Sequence, residues 1–559
     1  MKRPVKENGN IYFYLLVPLL VYTLKAVILM RGGTLYGRLA IPPPYDDVTY
    51  FVDAMERVRI FFDRGLYGFI QSLISNPPHA PYSTIAAAVA FLLGGPNVAG
   101  PYIMNAVVAA VLSAMLFRSF RLPASTTCCI CVVLVTTGWF DNLVTTFHPD
   151  LISGFGAAIV TAALIWQSEI MQRRTHTVLI GAAGGLILLI KPVAFGMLLI
   201  LWALAFLFGA ASAYLEEKSV KRVGMRLLFG VLPALLIAAP YFVHELAGMV
   251  EYLTEAFVRE HGAWAGIVPP SVRALFYFDS ARRNFEYWFF VASGGALGII
   301  ALAAYAREWR TSLRFGGLIT LSLVAYLIPE SLEDKSYFFG GVFYGCISVC
   351  LILVIHFLAD RLERFWPLVR LKSFGLTQSV MRHFRGAVLI LIGLLAVGGL
   401  ADKQGRFQEE SILAMRAEYN GVYRLLRQVL AGQEGILANS SPRLCVYFPC
   451  PAPVAPHAYR LRAIIDGFDI GLEMSPVQSD LQALIDLANR AAVIVVPDDE
   501  SLKSIYPYPV NELIPAFRRW LNQSTNFKTI GTVRTSLGGT EVFTNLSVAS
   551  DATRSSQTH

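Results

Sequence analysis

The chain has 559 residues, of which 55% are apolar and 15% charged; soluble domains carry roughly 25% charged residues. With a mean hydropathy of +0.52, this composition excludes an ordinary soluble enzyme and a disordered chain. The formal charge of +8 would suit a nucleic-acid binder, but Lys and Arg fall in short loops between apolar runs, where they report topology and form no patch. No nucleic-acid partner is expected.

Met1-Lys2-Arg3 and Lys6 precede an apolar run from Ile11 to Met30. It is longer than a signal-peptide core, and Leu29-Met30-Arg31 offers no small-x-small cleavage site, so it reads as a retained first helix. Further apolar runs over 101–117, 124–140, 150–167, 177–190, 194–213, 227–243, 289–305, 315–329, 338–358 and 387–401 bring the expectation to about eleven transmembrane helices. The fold class is therefore an α-helical polytopic membrane protein.

The stretch from Tyr45 to Tyr82 follows the first span. Val48, Phe51, Val52, Met55, Val58, Phe61 and Phe62 recur at helical spacing, with Asp53, Glu56, Arg57, Asp63 and Arg64 on the other side. That pattern predicts an amphipathic helix lying on the membrane surface, ended by Gly65, with a second short helix over Leu66–Ser75. The helix opens on Asp46-Asp47. Adjacent carboxylates repel, and one of the pair tends towards a raised pKa unless a cation or helix N-terminus relieves it, which suits a general base. Asp46 as a simple helix cap is the structural alternative. Pro77-Pro78 and Pro81 stiffen the approach to 83–98, an apolar stretch broken by Gly94-Gly95-Pro96.

His148-Pro149-Asp150 opens the fourth span with a second outer carboxylate. Lys191, after Gly184–Ile190, would be costly inside lipid; it either snorkels or pairs with an anion such as a lipid phosphate. The 244–288 loop holds His244, Glu245, Glu260, His261, Arg282 and Arg283. The His/Glu pairs match no strong metal pattern, so no cofactor is assigned and a divalent cation is left open. Arg282 and Arg283 suit a lipid phosphate as well as they suit a solvated turn.

Topology follows from the loops. If 83–98 lies along the outer interface without crossing, the loops denser in Lys and Arg, 1–10, 118–123, 168–176, 214–226, 306–314 and 359–386, all fall on the cytoplasmic side. The N-terminus is then cytoplasmic and the C-terminal region extracytoplasmic. The spans carry few ionisable residues, Lys25 and His356 being the main exceptions, which is unlike an ion or proton pathway.

Beyond Leu400 the composition turns soluble. Glu409–Leu430 reads as a helix, Arg443–Phe448 and Ala492–Val496 as strands with a helix over Val477–Arg490 between them, and Phe527–Val533 with Gly539–Phe543 as a hairpin. This gives two units, a membrane domain over 1–401 (with an outer loop over 31–100) and a small α/β domain over 402–559. Asp498-Asp499-Glu500 is a turn rather than a metal triplet, and a Cys445–Cys450 disulfide is an open question.

These residues resemble the GT-C superfamily of integral-membrane glycosyltransferases, which includes protein O-mannosyltransferases and the bacterial transferases that add aminoarabinose to lipid A. Asp46-Asp47-Val48-Thr49-Tyr50-Phe51 is similar to the family's Asp-Glu-x-x-Tyr element. Pro77-Pro78-His79-Ala80-Pro81-Tyr82 is similar to its Pro-Pro-Leu juxtamembrane helix, His148-Pro149-Asp150 to its second acidic position, and Ile190-Lys191-Pro192 to its Thr-Lys-x-Pro turn. The chain departs in carrying Asp at the second acid and His79-Ala80-Pro81 where Leu is expected. The resemblance implies transfer of one sugar, with inversion, from a polyprenyl-phosphate carrier to a glycan, lipid or protein acceptor at the outer face of a bacterial inner membrane. It implies Asp46 as base, Asp47 orienting acceptor or base, Asp150 positioning acceptor or sugar, and Lys191 with Arg282 or Arg283 holding the leaving phosphate. Tyr50, His79 and His148 are the accompanying substrate-binding candidates. A polysaccharide polymerase or ligase, and a non-enzymatic lipid or polymer translocator, are the alternatives.

Overall fold

The computed structural model describes residues 11–32, 39, 41–43, 45–254, 273, 275–332, 335–365, 409–431, 444–450, 454–468, 470–503 and 508–547. Among them, seven helices are long and apolar enough to cross a bilayer. They lie in α1 (Ile11–Gly32), α4 (Ala99–Ser119), α10 (Phe195–Glu217), α11 (Val220–Thr254), α13 (Tyr287–Tyr305), α14 (Trp309–Ser331) and α15 (Gly341–Phe365). The run expected over 124–140 is a broken pair, α5 (Ala124–Val135) and α6 (Gly138–Thr145), bent by 73°. The span expected over 387–401 lies outside the described residues.

The remaining two expected spans are short. α7 (Pro149–Ile165) and α9 (Arg174–Ile190) have 17 residues each, about 25 Å at 1.5 Å per residue, against a hydrocarbon layer of about 30 Å. They therefore fall a few ångströms short of the full layer, and charged groups at their ends need partners. They run antiparallel, so the first turn of α7, with Asp150, and the residue ending α9, Lys191, meet at one end of the bundle.

α7 is buried almost all round and packs along α15. The contact is made backbone to backbone. A Cβ on Gly154 would lie 2.1 Å from the Gly341 carbonyl oxygen, and one on Gly345 would lie 2.3 Å from that of Gly154. Small residues permit such approach where apolar burial gives no drive between lipid-solvated helices. The approach carries the 3₁₀ turn Tyr337–Gly340, which leads into α15, against the first turn of α7. At the far end, Arg314 of α14 pairs with Glu169 of α8 (Gln167–Ile170) at 2.6 Å and donates to Ser168 and Ser212. Inside the bundle, Lys25 pairs with Asp141 at 2.9 Å.

The outer loop is organised by α2 (Tyr45–Ser75), which runs on through Gly65 with a break at φ 65°, ψ −168°. The expected stop is a kink. Only glycine takes that positive φ without penalty, and the second half folds back so that Arg57 donates to Asp53, Ser72 and the Asn76 carbonyl. The stretch expected to lie on the interface is α3 (Pro81–Gly94), a 14-residue helix packed on α2 and too short to span. Beneath α2, Phe51 is wedged against Phe91, Tyr102 and Phe147 with ring centroids 5.9, 5.4 and 5.2 Å apart. Such pairs contribute about 0.5–1.5 kcal/mol each beyond their buried area.

The C-terminal unit is a five-stranded sheet in the order β2-β1-β3-β5-β4, built from β1 (Leu444–Phe448), β2 (Ile470–Met474), β3 (Val493–Pro497), β4 (Phe527–Thr535) and β5 (Gly538–Asn545). β1 to β3 are parallel and β4–β5 is the expected hairpin. Helices α16 (Glu409–Ala431), α17 (Pro456–Ile465), α18 (Leu481–Arg490), α19 (Asp499–Leu502) and α20 (Ile514–Gln523) complete it. Asp498 caps α19, accepting from the Glu500 and Ser501 amides, so the acidic triplet caps and opens a single helical turn. Cys445 and Cys450 are both free. The unit docks through α17 onto α2, sharing one apolar cluster with α2 and α3.

Replacing Gly154 by Ala should force α7 and α15 apart and lower thermal stability in detergent by about 1–3 kcal/mol, the usual range for overpacking. Gly298→Ala, on a lipid-facing stretch of α13 with open space around it, should be neutral or slightly stabilising. Equal melting temperatures for the two variants would refute this account of the packing.

Candidate active site

At the α7/α9 end of the bundle, four charged side chains meet. His148, just before α7, lies with Nε2 3.0 Å from Asp46 Oδ2 and Nδ1 2.6 Å from Asp150 Oδ2. Lys191 Nζ stands 2.9 Å from the same Asp150 oxygen. With both carboxylates ionised and both bases protonated the cluster is neutral, which is how buried charge is tolerated. The His148 ring stacks flat on Phe338 of the 3₁₀ turn, 4.0 Å between centroids and 7° between planes.

The sequence places each member by local means. Pro149 in the first turn of α7 fixes where the helix starts, leaving His148 extended and facing α2. Lys191 follows the last turn of α9, with Pro192 blocking continuation. Asp46 sits in the first turn of α2, and Asp47 locks that turn. Asp47 Oδ2 accepts from the Tyr102 hydroxyl at 2.8 Å and its Oδ1 from the Phe147 amide at 2.9 Å. It thus joins α2 to α4 and to the segment carrying His148. Asp47 is buried and faces away from the cluster's open side, whereas the Asp46 side chain is 59% exposed.

The electrostatics separate the roles. Burial pulls the His148 pKa down, but the charge and hydrogen bond of Asp150 and the bond to Asp46 outweigh it and push it up to about 9. His148 is an imidazolium at neutral pH. For Asp46, burial acts upward and the bond and charge of His148, helped by Lys191, act downward and win. The carboxylate is therefore held below its usual range and stays ionised. The repulsion by Asp47 anticipated from their adjacency is not among the influences that shift Asp46. Lys191, buried beside Asp150, is held above its usual range although burial alone would lower it.

Tyr50, one turn along α2 from Asp46, is buried, and burial with the nearby carboxylates holds its phenol well above the usual range. It is a hydroxyl donor at any ordinary pH. His79 is exposed at its ring, which packs on Tyr252 at 4.6 Å. The charges of Lys191, Asp46 and Asp150 all reach it, so it borders the cluster without joining it. Arg282 and Arg283 do not join it. They ride on α12 (Phe276–Phe285), where Arg282 faces Asp279 at 3.6 Å and Arg283 donates to the Asp279 carbonyl. α12 does pack on the 3₁₀ turn, so both lie at the same end of the bundle. His244 pairs with Glu245 at 2.6 Å, and Glu260 and His261 lie outside the described residues. Among the described residues no group of three or more His, Cys, Asp and Glu side chains is arranged to hold a metal ion; the gaps between the carboxylates are filled by His148 and Lys191.

Phe338 and Tyr102 were not singled out from the sequence. Nothing in the Tyr337-Phe338-Phe339 run marks Phe338 as the stacking partner of a histidine 190 positions earlier; only the close packing of α7 on α15 brings the two together.

Neither protein-family models nor curated proteins match this chain. Among solved structures, apo ArnT from Cupriavidus metallidurans is similar over 97% of this chain and 98% of its own, with a TM-score of 0.55 and 13% identity. ArnT is an aminoarabinose transferase of the GT-C class, and this integral membrane protein has its fold.

Proposed function

We propose that this protein is an inverting glycosyltransferase that takes a sugar from a polyprenyl-phosphate carrier. The observation that carries this is the cluster at the end of the bundle, in which one exposed carboxylate is kept ionised by a buried imidazolium. Asp46 is the base. Its Oδ2 is occupied by His148, and the side chain is 59% exposed, which leaves Oδ1 for an incoming hydroxyl. An acceptor hydroxyl approaching Oδ1 gives up its proton there as its oxygen bonds to the sugar's anomeric carbon. The bond from that carbon to the phosphate oxygen breaks, its electron pair leaving with the polyprenyl phosphate. A lowered base pKa suffices because the leaving group is already a stable anion and proton removal need not run ahead of bond formation.

His148 then acts as a clamp and charge reservoir, Asp150 and Lys191 hold it charged and oriented, and Asp47 is a positioning residue for the first turn of α2. Lys191 has two further protons for a phosphate oxygen, but its first duty is to Asp150. Arg282 and Arg283 remain the exposed cations for the carrier phosphate, and Tyr50 and His79 border the sugar. The membrane is the bacterial inner membrane, with the basic loops on the cytoplasmic side and the cluster and C-terminal domain outside. The acceptor is a component of the cell envelope, a glycan, lipid or protein.

Membranes carrying the wild-type protein should consume a radiolabelled polyprenyl-phosphate sugar. Asp46→Asn, which keeps the bond to His148 and removes the base, should slow this by about 10²–10⁴-fold, the usual worth of general base catalysis. Wild-type turnover in that variant would sink the assignment.

The pH dependence follows from the same cluster. His148 has its folded pKa raised, so its contribution is complete below the unfolded value of about 6.5 and lost as pH rises through about 9. Asp46 has its pKa lowered, so its contribution is present above the unfolded carboxylate value and lost on acidification through the depressed one. Activity should therefore hold from neutrality to about pH 8 and fall through about 9. His148→Gln should be less active and show no such alkaline limb. An alkaline limb unaltered in His148→Gln would contradict the role given to the imidazolium.

A further inference from the structure

α17 is the part of the C-terminal domain that lies on α2, and its first two turns carry His457 and Arg460 on the side facing that helix. Arg460 reaches across to Glu56 of α2. The contact is apolar around it, with Ala458 and Leu461 in the same cluster as Val48, Val52 and Met55. Two polar atoms in this interface are buried and have no hydrogen-bond partner among the described residues, His457 Nδ1 and Arg460 Nε. Buried polar atoms are nearly always paired, and leaving one unpaired costs about 1–3 kcal/mol. That two stand three residues apart on one face of one short helix is not explained by packing. Both belong to the helix that packs on α2, whose first turn carries Asp46, and His457 is near enough for the Asp46 charge to reach its ring. Burial, then the Arg460 charge, hold the imidazole down to about 4 against that carboxylate. His457 is thus a neutral ring that can donate to or accept from an uncharged hydroxyl, unlike His148, which is held as a cation.

Resting on the assignment of Asp46 as the base, we propose that His457, with Arg460, binds the acceptor at hydroxyl groups next to the one that Asp46 deprotonates. The acceptor enters between α2 and α17 and is hydroxyl-rich on the end that reacts, as a saccharide or polyol is. The donor, by contrast, is held from the bundle. His457 is a specificity-determining contact supplied by the C-terminal domain, and the domain completes the site instead of only covering it.

The test separates acceptor from donor. Full-length protein in detergent is given a radiolabelled pool of polyprenyl-phosphate sugars prepared from the cell's own membranes, together with a total envelope extract of lipids and glycans. Label transferred to the extract and free sugar released to water are counted in the same reaction. Water is too small to use the His457 contact. His457→Leu should therefore lower the ratio of transfer to hydrolysis about tenfold, the effect of losing one neutral hydrogen bond. It should do so by raising the half-saturating concentration of extract. His457→Asn, whose amide lies about where Nδ1 does, should recover most of the ratio. A ratio equal to wild type in a His457→Leu protein with an unshifted melting temperature would overturn the proposal, as would transfer and hydrolysis falling together. If the leucine variant does not fold, His457→Gln decides: its amide lies beyond the Nδ1 position, and a wild-type ratio there would overturn the proposal equally. Failure of the base assignment reads differently, as Asp46→Asn retaining full turnover while the His457 ratio is still measurable.

Discussion

The bond from His148 to Asp46 depends on most of what surrounds it. An imidazole buried at the end of a helix bundle should lose its proton, because burial acts against the charged form. Here it keeps the proton because Asp150 stands against one ring nitrogen and Asp46 against the other. Asp150 in turn is tolerable only because Lys191 neutralises it. Removing any one charge leaves another buried without its partner, which is the costly case for ion pairs in low dielectric. The cluster is therefore a single unit, and Asp46 is the member of it left facing outwards.

The scaffold explains why such a unit holds together at a membrane edge. Two 17-residue helices stop short of the full bilayer thickness, so the charged groups at their ends sit close to the lipid and are tolerated there by pairing with one another. The glycine contacts between α7 and α15 bring the Tyr337–Gly340 turn down on His148, and Phe338 closes one face of the ring. Asp47 ties α2 to α4 through the Tyr102 hydroxyl and to the segment before α7 through the Phe147 amide. Each of these contacts is remote in sequence from the one it supports. Together they fix the distance between a surface helix and a transmembrane helix, which the lipid alone would leave loose.

A membrane glycosyltransferase has to keep its donor, which is lipid-bound, apart from an acceptor that arrives from another direction. The chain shares the fold of apo ArnT from Cupriavidus metallidurans, and in the function proposed above the charged end of the bundle holds the first. In the proposal above, His457 and Arg460, polar side chains in an otherwise apolar contact of α17 with α2, hold the second. The histidine that bonds Asp46 and the one that only feels its charge differ in protonation because their surroundings differ. His148 has two carboxylates and is cationic, while His457 has an arginine beside it and is neutral.

Much of this was legible in the sequence. The period of the apolar residues determined the spans, the amphipathic α2, the short α3 and the strands β1, β3, β4 and β5, since burial of one face is written residue by residue. Proline and the carboxylates determined where α7 and α9 begin and end, hence that Asp46, Asp150 and Lys191 belong at one end. Only the resemblance told Asp46 from Asp47; residue by residue the pair read alike, because side-chain direction at a helix start depends on what the helix packs against, and the Tyr102 hydroxyl and Phe147 amide donate to the second. The sequence could not separate His148 from a merely polar interfacial histidine, or keep Arg282 and Arg283 out of the cluster. It gave no sign of Phe338 or His457, which reach the site across 190 and 411 residues of chain. Charge state and partner choice are properties of several elements brought within a few ångströms, and the glycine-mediated approach of α7 to α15 and the seating of the C-terminal domain on α2 decided them.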